Sequence, residues 1–223
     1  TMSYKSIPYS NKILLLFIVL LALGCGSNED MVDNTNGDNQ TLPKNNVLLI
    51  IADDLGLDAT AGYNIGNQKP IMPTLQKLIN SGIKFNNVWS NPVCTPTRAT
   101  ILTGKYGYRT SVLKVDDVLS TSEISIFKNL KNNTNYNSAF IGKWHLSGKP
   151  SDRNHPNNMG IDYYAGILGG GVSDYFNWTL SKNGQNSNVN QYITSVFTDE
   201  AINWITSQNS SWFLCLSYNA PHT

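Results

Sequence analysis

The sequence predicts an α/β fold, a mostly parallel central sheet flanked by helices. Three observations lead there. Val47 to Ala52 is a short run apolar on both faces, as in a strand buried within a parallel sheet. Tyr136 to Ile141 and Trp212 to Tyr218 read as further buried strands, with helical periodicity in between. Polar residues follow each run: Asp53-Asp54, then Lys143 with His145, then Asn219-Ala220-Pro221-His222.

Taken in chain order, the first element is a targeting segment. Lys5 and Lys12 precede eleven apolar residues, Ile13 to Leu23, too few to span a bilayer as a helix, which needs about 20. A basic start, a short apolar core and small residues read as an export signal over 1–25. Ala22-Leu23-Gly24 before Cys25 resembles a bacterial lipobox, which makes Cys25 the predicted lipidation site and the cell envelope the predicted location. Residues 26–46 are rich in Asn, Asp, Gly and Thr and read as a flexible polar tether. The folded region is expected over 47–223.

Within it, Pro73 to Asn80 reads as a helix. Proline opens it, Leu75, Leu78 and Ile79 share a face, and Gly82 stops it. Ile193, Val196, Phe197, Ala201, Trp204 and Ile205 recur at helical spacing and predict a second helix packed on the sheet. The sequence contains no internal repeat.

The composition is globular: 40% of the 223 residues are hydrophobic and 14% charged. A net charge of +1 and the lack of any Lys/Arg cluster exclude general attraction to nucleic acid. Anion binding must come from a few placed residues. Of the three cysteines, Cys215 lies in an apolar run and reads as a small core hydrophobe, and no disulfide is expected.

In open α/β sheets, ligands bind outside the carboxyl ends of the strands, so the three polar clusters should meet at one edge. Asp53 and Asp54 are hard oxygen donors suited to Ca²⁺ or Mg²⁺, although an acidic pair also serves as a helix cap. Lys143 and His145 are two residues apart and would face one side of an extended segment, where a fixed cation and a proton carrier can work together. Taken alone, they read better as a solvated lysine beside a histidine with a structural hydrogen bond. His222 could be a surface residue in a turn. His155, in Asn154-His155-Pro156, sits in a polar, turn-rich segment and is assigned no catalytic role.

Cys94-Thr95-Pro96-Thr97-Arg98, continuing through Thr103-Gly104, joins these pieces. The eleven residues resemble the signature of sulfatases of the alkaline-phosphatase-like superfamily, in which the cysteine is oxidised to formylglycine. The strand ending in Asp53-Asp54, Gly142-Lys143-Trp144-His145 and Asn219-Ala220-Pro221-His222 match the same family in order, so that the resemblance runs from Val47 to Thr223. Thr97 departs from the usual Ser or Ala, while Cys94, Pro96 and Arg98 are intact.

The resemblance implies an alkaline-phosphatase-like fold and a set of roles. Asp53, Asp54 and the modified Cys94 would hold one divalent cation, Ca²⁺ ahead of Mg²⁺. Formylglycine at 94 would be the nucleophile, made by a formylglycine-generating enzyme. Arg98 would hold it, Lys143 and His222 would bind sulfate oxygens, and His222 would protonate the departing alcohol. His145 would be the base that takes a proton from the second hydroxyl. The implied substrate is a sulfate ester, plausibly of a sulfated carbohydrate. A phosphatase or phosphonate monoester hydrolase of the same superfamily, and a non-catalytic glycan-binding surface lipoprotein, remain alternatives.

Related sulfatases are longer and supply further metal ligands and another lysine later in the chain. The sequence is therefore expected to be an N-terminal, incomplete portion of the catalytic domain, inactive or poorly folded by itself. Gly169-Gly170-Gly171 and Asn183 to Asn190 are candidate specificity loops.

Overall fold

The computed structural model describes residues 45–222. The predicted export signal, the predicted lipidation site Cys25 and the predicted tether up to residue 44 lie outside the described residues.

Six strands form one mixed sheet: β1 Val47–Asp53, β2 Asn137–Lys143, β3 Tyr163–Ile167, β4 Trp178–Lys182, β5 Gln185–Val189 and β6 Trp212–Pro221. Their order is β1-β6-β2-β3-β4-β5. The first four strands in that order run parallel, and β4 and β5 add an antiparallel hairpin beyond β3. Six helices accompany them: α1 Pro73–Ser81, α2 Cys94–Thr103, α3 Gly107–Thr110, α4 Ile126–Asn133, α5 His155–Asn158 and α6 Ile193–Thr206.

Alternation along the central strands builds two cores. Phe140 on β2 and Phe213 and Cys215 on β6 face one side, where they pack with Ala99 and Leu102 of α2 and Phe127 of α4. Ala139, Ile141, Leu214 and Leu216 face the other, against Phe197, Ala201 and Trp204 of α6. Side chains of a strand point alternately to the two faces, so an apolar run fills both layers at once. Cys215 is fully buried among these residues as a free thiol whose pKa burial pushes up to about 12.

Two glycines set the strand spacing at the center. A Cβ on Gly142 would lie 1.8 Å from the Ser217 carbonyl oxygen, and its φ of 114° suits glycine alone. The Gly166 position meets the Gly142 carbonyl oxygen at the same 1.8 Å. This close approach brings the end of β2 against the end of β6.

Two elements differ from expectation. β1 was predicted buried on both faces, but Val47, Leu48 and Ile50 are 42–51% exposed. Among the described residues it pairs with β6 alone, at the edge of the sheet. α1 has the predicted proline start, yet none of its residues is buried, and Leu78 is 59% exposed. Among the described residues, no helix is long and apolar enough to cross a membrane.

Candidate active site

The carboxyl ends of β1, β2 and β6 meet the start of α2. Along the β1–β6 ladder Asp53 pairs with Pro221 after a register shift at Ala52, so the ends of the two strands lie side by side. Cys94 is the first residue of α2, and Arg98 follows four positions later on the same helix face. Pro96 falls in the first turn, where no intrahelical N–H is required. The α2 helix ends at Gly104, whose φ is 67° and whose N–H bonds to Thr100. Thr97 turns its hydroxyl back to the Val93 and Asn91 carbonyl oxygens at 2.9 and 3.2 Å. The threonine in place of Ser or Ala therefore leaves the helix start intact.

Arg98 is 3% exposed, and both terminal nitrogens of its guanidinium have partners. It donates to the Asp53 carboxylate at 3.2 Å, to the Ser217 hydroxyl at 2.7 Å and to the Lys143 carbonyl oxygen at 2.5 Å. Lys143 has no exposed surface and donates to the second oxygen of Asp53. One buried carboxylate thus holds two buried cations. A buried cluster of this kind costs desolvation that only multiple good partners offset. Its excess positive charge lies beneath a cavity of about 330 Å³ lined by Asp53, Asp54, Cys94, Thr97 and Arg98, among others.

His145 meets Cys94, on the wall of this cavity, by another route. The extended geometry expected of Lys143 to His145 does not hold, because His145 has φ 56°. Trp144 between them enters the core, and the turn directs the imidazole to Cys94. Nδ1 lies 3.2 Å from the Cys94 sulfur and Nε2 2.9 Å from an Asp116 oxygen. Burial holds this imidazole below its usual pKa; the Asp116 hydrogen bond opposes that, and the Lys143 and Arg98 charges add to it. Asp116 also accepts from Lys149 at 2.7 Å. The hydrogen bonds from Lys149 and His145 hold its carboxyl below the usual carboxylate range.

His222 follows β6 and places Nε2 3.7 Å from an Asp54 oxygen. Its backbone is anchored: the amide donates to the Asn219 carbonyl oxygen at 3.0 Å, and Tyr175 donates its hydroxyl to the His222 carbonyl oxygen. Arg98 Nε, Asn219 Oδ1 and His222 Nδ1 are buried without a hydrogen-bond partner among the described residues. Unsatisfied buried polar atoms are rare in folded proteins and mark a place built for added polar groups.

The sequence-predicted residues Asp53, Asp54, Cys94, Arg98, Lys143, His145 and His222 are therefore brought to one sheet edge. Their contacts differ in one respect from the implied roles: Arg98 and Lys143 both spend donors on Asp53. Sequence reasoning missed Asp116, Lys149 and Ser217, and read Gly170 only as part of a candidate specificity loop. Asp116-Asp117 was visible as a second acidic pair, but no strand precedes it. His155, set aside as non-catalytic, is a core residue: Trp144 donates to its Nδ1 at 3.1 Å and its Nε2 meets the Leu119 carbonyl oxygen at 2.7 Å.

For a divalent cation the chemistry of the donors is right, since two carboxylates and position 94 share one cavity wall. Both oxygens of Asp53 are engaged by cations, and Asp54 is two-thirds exposed. Among the described residues no cluster of three His, Cys, Asp or Glu side chains has metal-binding geometry. The two carboxylates can therefore supply only part of a divalent cation's oxygen shell, and only where the cation competes with Arg98 and Lys143 for Asp53.

Comparison with known proteins agrees with this geometry. The N-acetylglucosamine-6-O-sulfatase of Bacteroides thetaiotaomicron is 29% identical over 182 residues, covering 79% of this chain and 30% of that protein. Human steryl-sulfatase is 33% identical over 138 residues, covering 55% of this chain and 23% of that protein. The structure of BT4656 in complex with its substrate D-glucosamine-2-N,6-O-disulfate superposes with a TM-score of 0.69 at 26% identity, over 80% of this chain and 35% of that one. The chain spans less than half the length of these relatives. The family description Sulfatase matches residues 45–223, and the chain belongs to the sulfatase family.

Proposed function

We propose that this chain carries the nucleophile-bearing part of a sulfuric ester hydrolase, with Cys94 oxidised to formylglycine by a formylglycine-generating enzyme. The observation that carries the reading is the 3.2 Å approach of His145 Nδ1 to the Cys94 sulfur at the mouth of a cavity walled by Asp53, Asp54 and Arg98. Hydrated formylglycine would supply one hydroxyl whose oxygen bonds to sulfur as the ester S–O bond to the alcohol breaks, and a second whose deprotonation would re-form the aldehyde as the C–O bond to sulfate breaks. A divalent cation, Ca²⁺ by the hardness of the donors, would be held by Asp53, Asp54 and an oxygen at position 94, and supplies a lowered hydroxyl pKa and charge stabilisation.

The chain's own residues do the rest. His145 takes a proton at position 94, as its short contact and depressed basicity allow near neutral pH. Arg98 and Lys143 keep fixed positive charge beneath the cavity, where developing negative charge on sulfate oxygens is offset at little reorganisation cost. His222, tethered through its backbone and with Nδ1 unpartnered, is positioned to hold a proton for the leaving alcohol.

The substrate class we favour is a sulfated carbohydrate. A second cavity of about 500 Å³ lies beyond the glycine run and presents Ser173, Asn177, Thr179, Ser181 and Asn186. Neutral hydroxyls and amides suit a hydroxyl-rich ring better than a sterol. The similarity to a protein named for N-acetylglucosamine-6-O-sulfate supports the same choice. Envelope attachment through a lipid on Cys25 belongs to the same reading.

Mass spectrometry of the peptide holding Cys94, after co-expression with a formylglycine-generating enzyme, tests the proposal. Formylglycine or its hydrate is expected, and in the matured full-length enzyme hydrolysis of p-nitrophenyl sulfate is expected to be lost in Cys94→Ala. Faster cleavage of p-nitrophenyl phosphate would replace the sulfatase reading by a phosphatase. An unmodified thiol in a protein that binds sulfated glycans would replace it by a binder.

A further inference from the structure

We propose that Asp116 is the positioning residue for His145, fixing its tautomer so that an Nδ1 lone pair faces position 94. The inference rests on the reading of His145 as the proton acceptor there. The imidazole is held at both nitrogens, Nδ1 at 3.2 Å from the Cys94 sulfur and Nε2 at 2.9 Å from Asp116 Oδ1. A carboxylate only accepts hydrogen bonds, so Nε2 must carry the hydrogen and the neutral ring offers its lone pair at Nδ1.

The surroundings hold Asp116 to this task. Its other oxygen accepts from the Lys149 ammonium at 2.7 Å, and its backbone N–H donates to the Thr95 hydroxyl at 3.3 Å. Thr95 is fully buried and adjacent to Cys94, so one helix start anchors both the nucleophile position and the loop that carries the clamp. The neighbouring Asp117 accepts from the Leu113 and Lys114 amides at 2.8 and 2.9 Å, which closes the loop on itself. The Gly170 backbone passes close to the imidazole, where an added Cβ would lie 2.6 Å from Cε1, so the ring sits there only because position 170 has no side chain.

Asp116→Asn separates charge and tautomer from shape. Lys149 can only donate, so it draws the amide oxygen and turns the amide NH₂ toward Nε2. The imidazole hydrogen then moves to Nδ1, and a donor instead of an acceptor faces position 94. Histidine ¹⁵N NMR at about pH 8, where imidazole is neutral, reads the tautomer directly. The expected spectra show Nε2–H at His145 in the parent chain and Nδ1–H in Asp116→Asn. Combining Asp116→Asn with Lys149→Met frees the amide to rotate and is expected to restore Nε2–H. His155 is the internal reference, because Trp144 donates to its Nδ1 and requires Nε2–H in every variant.

In the matured full-length enzyme, Asp116→Asn is expected to lower kcat about 10²- to 10⁴-fold with KM nearly unchanged, and the double variant to recover part of that loss. An Nε2–H tautomer persisting in Asp116→Asn would overturn the proposal, as would a changed tautomer with unchanged kcat. The NMR reading needs no turnover. A changed tautomer in a protein that hydrolyses no sulfate ester would therefore leave the clamp standing and remove the functional reading instead.

Discussion

At the scale of single residues, Asp53 balances the buried charge of the site. Arg98 and Lys143 sit beneath the cavity because this one carboxylate accepts from both. Removing it leaves two buried cations facing each other, whereas the pair itself contributes little net stability after desolvation. Asp53→Ala is therefore expected to cost about 3–5 kcal/mol, read as a lowered urea midpoint at unchanged m-value. A loss below about 1 kcal/mol would mean that solvent reaches the cluster and screens it. The residues that were legible in the sequence share one property: each follows an apolar strand or stands in the Cys94 signature, so topology alone brings them together. Asp116 and Lys149 lie in loops, where sequence spacing carries no spatial information. Ser217 was hidden for a different reason, since a serine inside an apolar run looks like a strand residue until Arg98 is seen to need an acceptor.

At the scale of elements, β2, β6 and α6 were readable because their apolar pattern is decided by burial on two sides, whereas β3, equally central, was not predicted as a strand. β1 and α1 have apolar faces that the described residues cover only in part: Leu49 and Ile51 pack on the core while Val47, Leu48, Ile50 and Leu78 stay exposed, so pattern predicted the element and mispredicted its burial. The β4–β5 hairpin was not predicted as strands, because Gln185 to Val189 is polar and largely exposed and offers no alternation to read. The glycine run after β3 gave only a signal of flexibility, and its function is steric. A methyl on Gly170 would fall 2.6, 2.8 and 3.1 Å from three atoms of the His145 ring, while one on Gly169 would meet nothing within 4 Å. Gly170→Ala is expected to push the imidazole off position 94 and lower turnover about 10- to 100-fold at a nearly unchanged urea midpoint. Gly169→Ala serves as the control and should match the parent. Equal activity in both variants would show that the loop yields before the ring does.

For the whole molecule, the question is how the buried titrating groups together set stability against pH. His145 and His155 are both held below their usual value of 6.5, chiefly by burial. The unfolded chain therefore binds protons that the folded chain refuses as pH falls below 6.5. Their contribution is fully present above 6.5 and is lost as pH descends through the folded values. Glu200 acts in the opposite sense: burial raises its pKa from 4.5, so its contribution is complete below 4.5 and is lost as pH rises through its folded value. The two effects oppose each other, but just below 6.5 two histidines act against one partly buried carboxyl, and the histidines prevail. The urea midpoint is thus expected to fall between about pH 7 and pH 5.5, before general carboxylate protonation begins. His155→Gln removes one titrating group and should flatten that slope without shifting its sign, because His145 remains. A midpoint that stays level or rises over this interval would show that both imidazoles accept protons in place, which their hydrogen-bonded burial argues against.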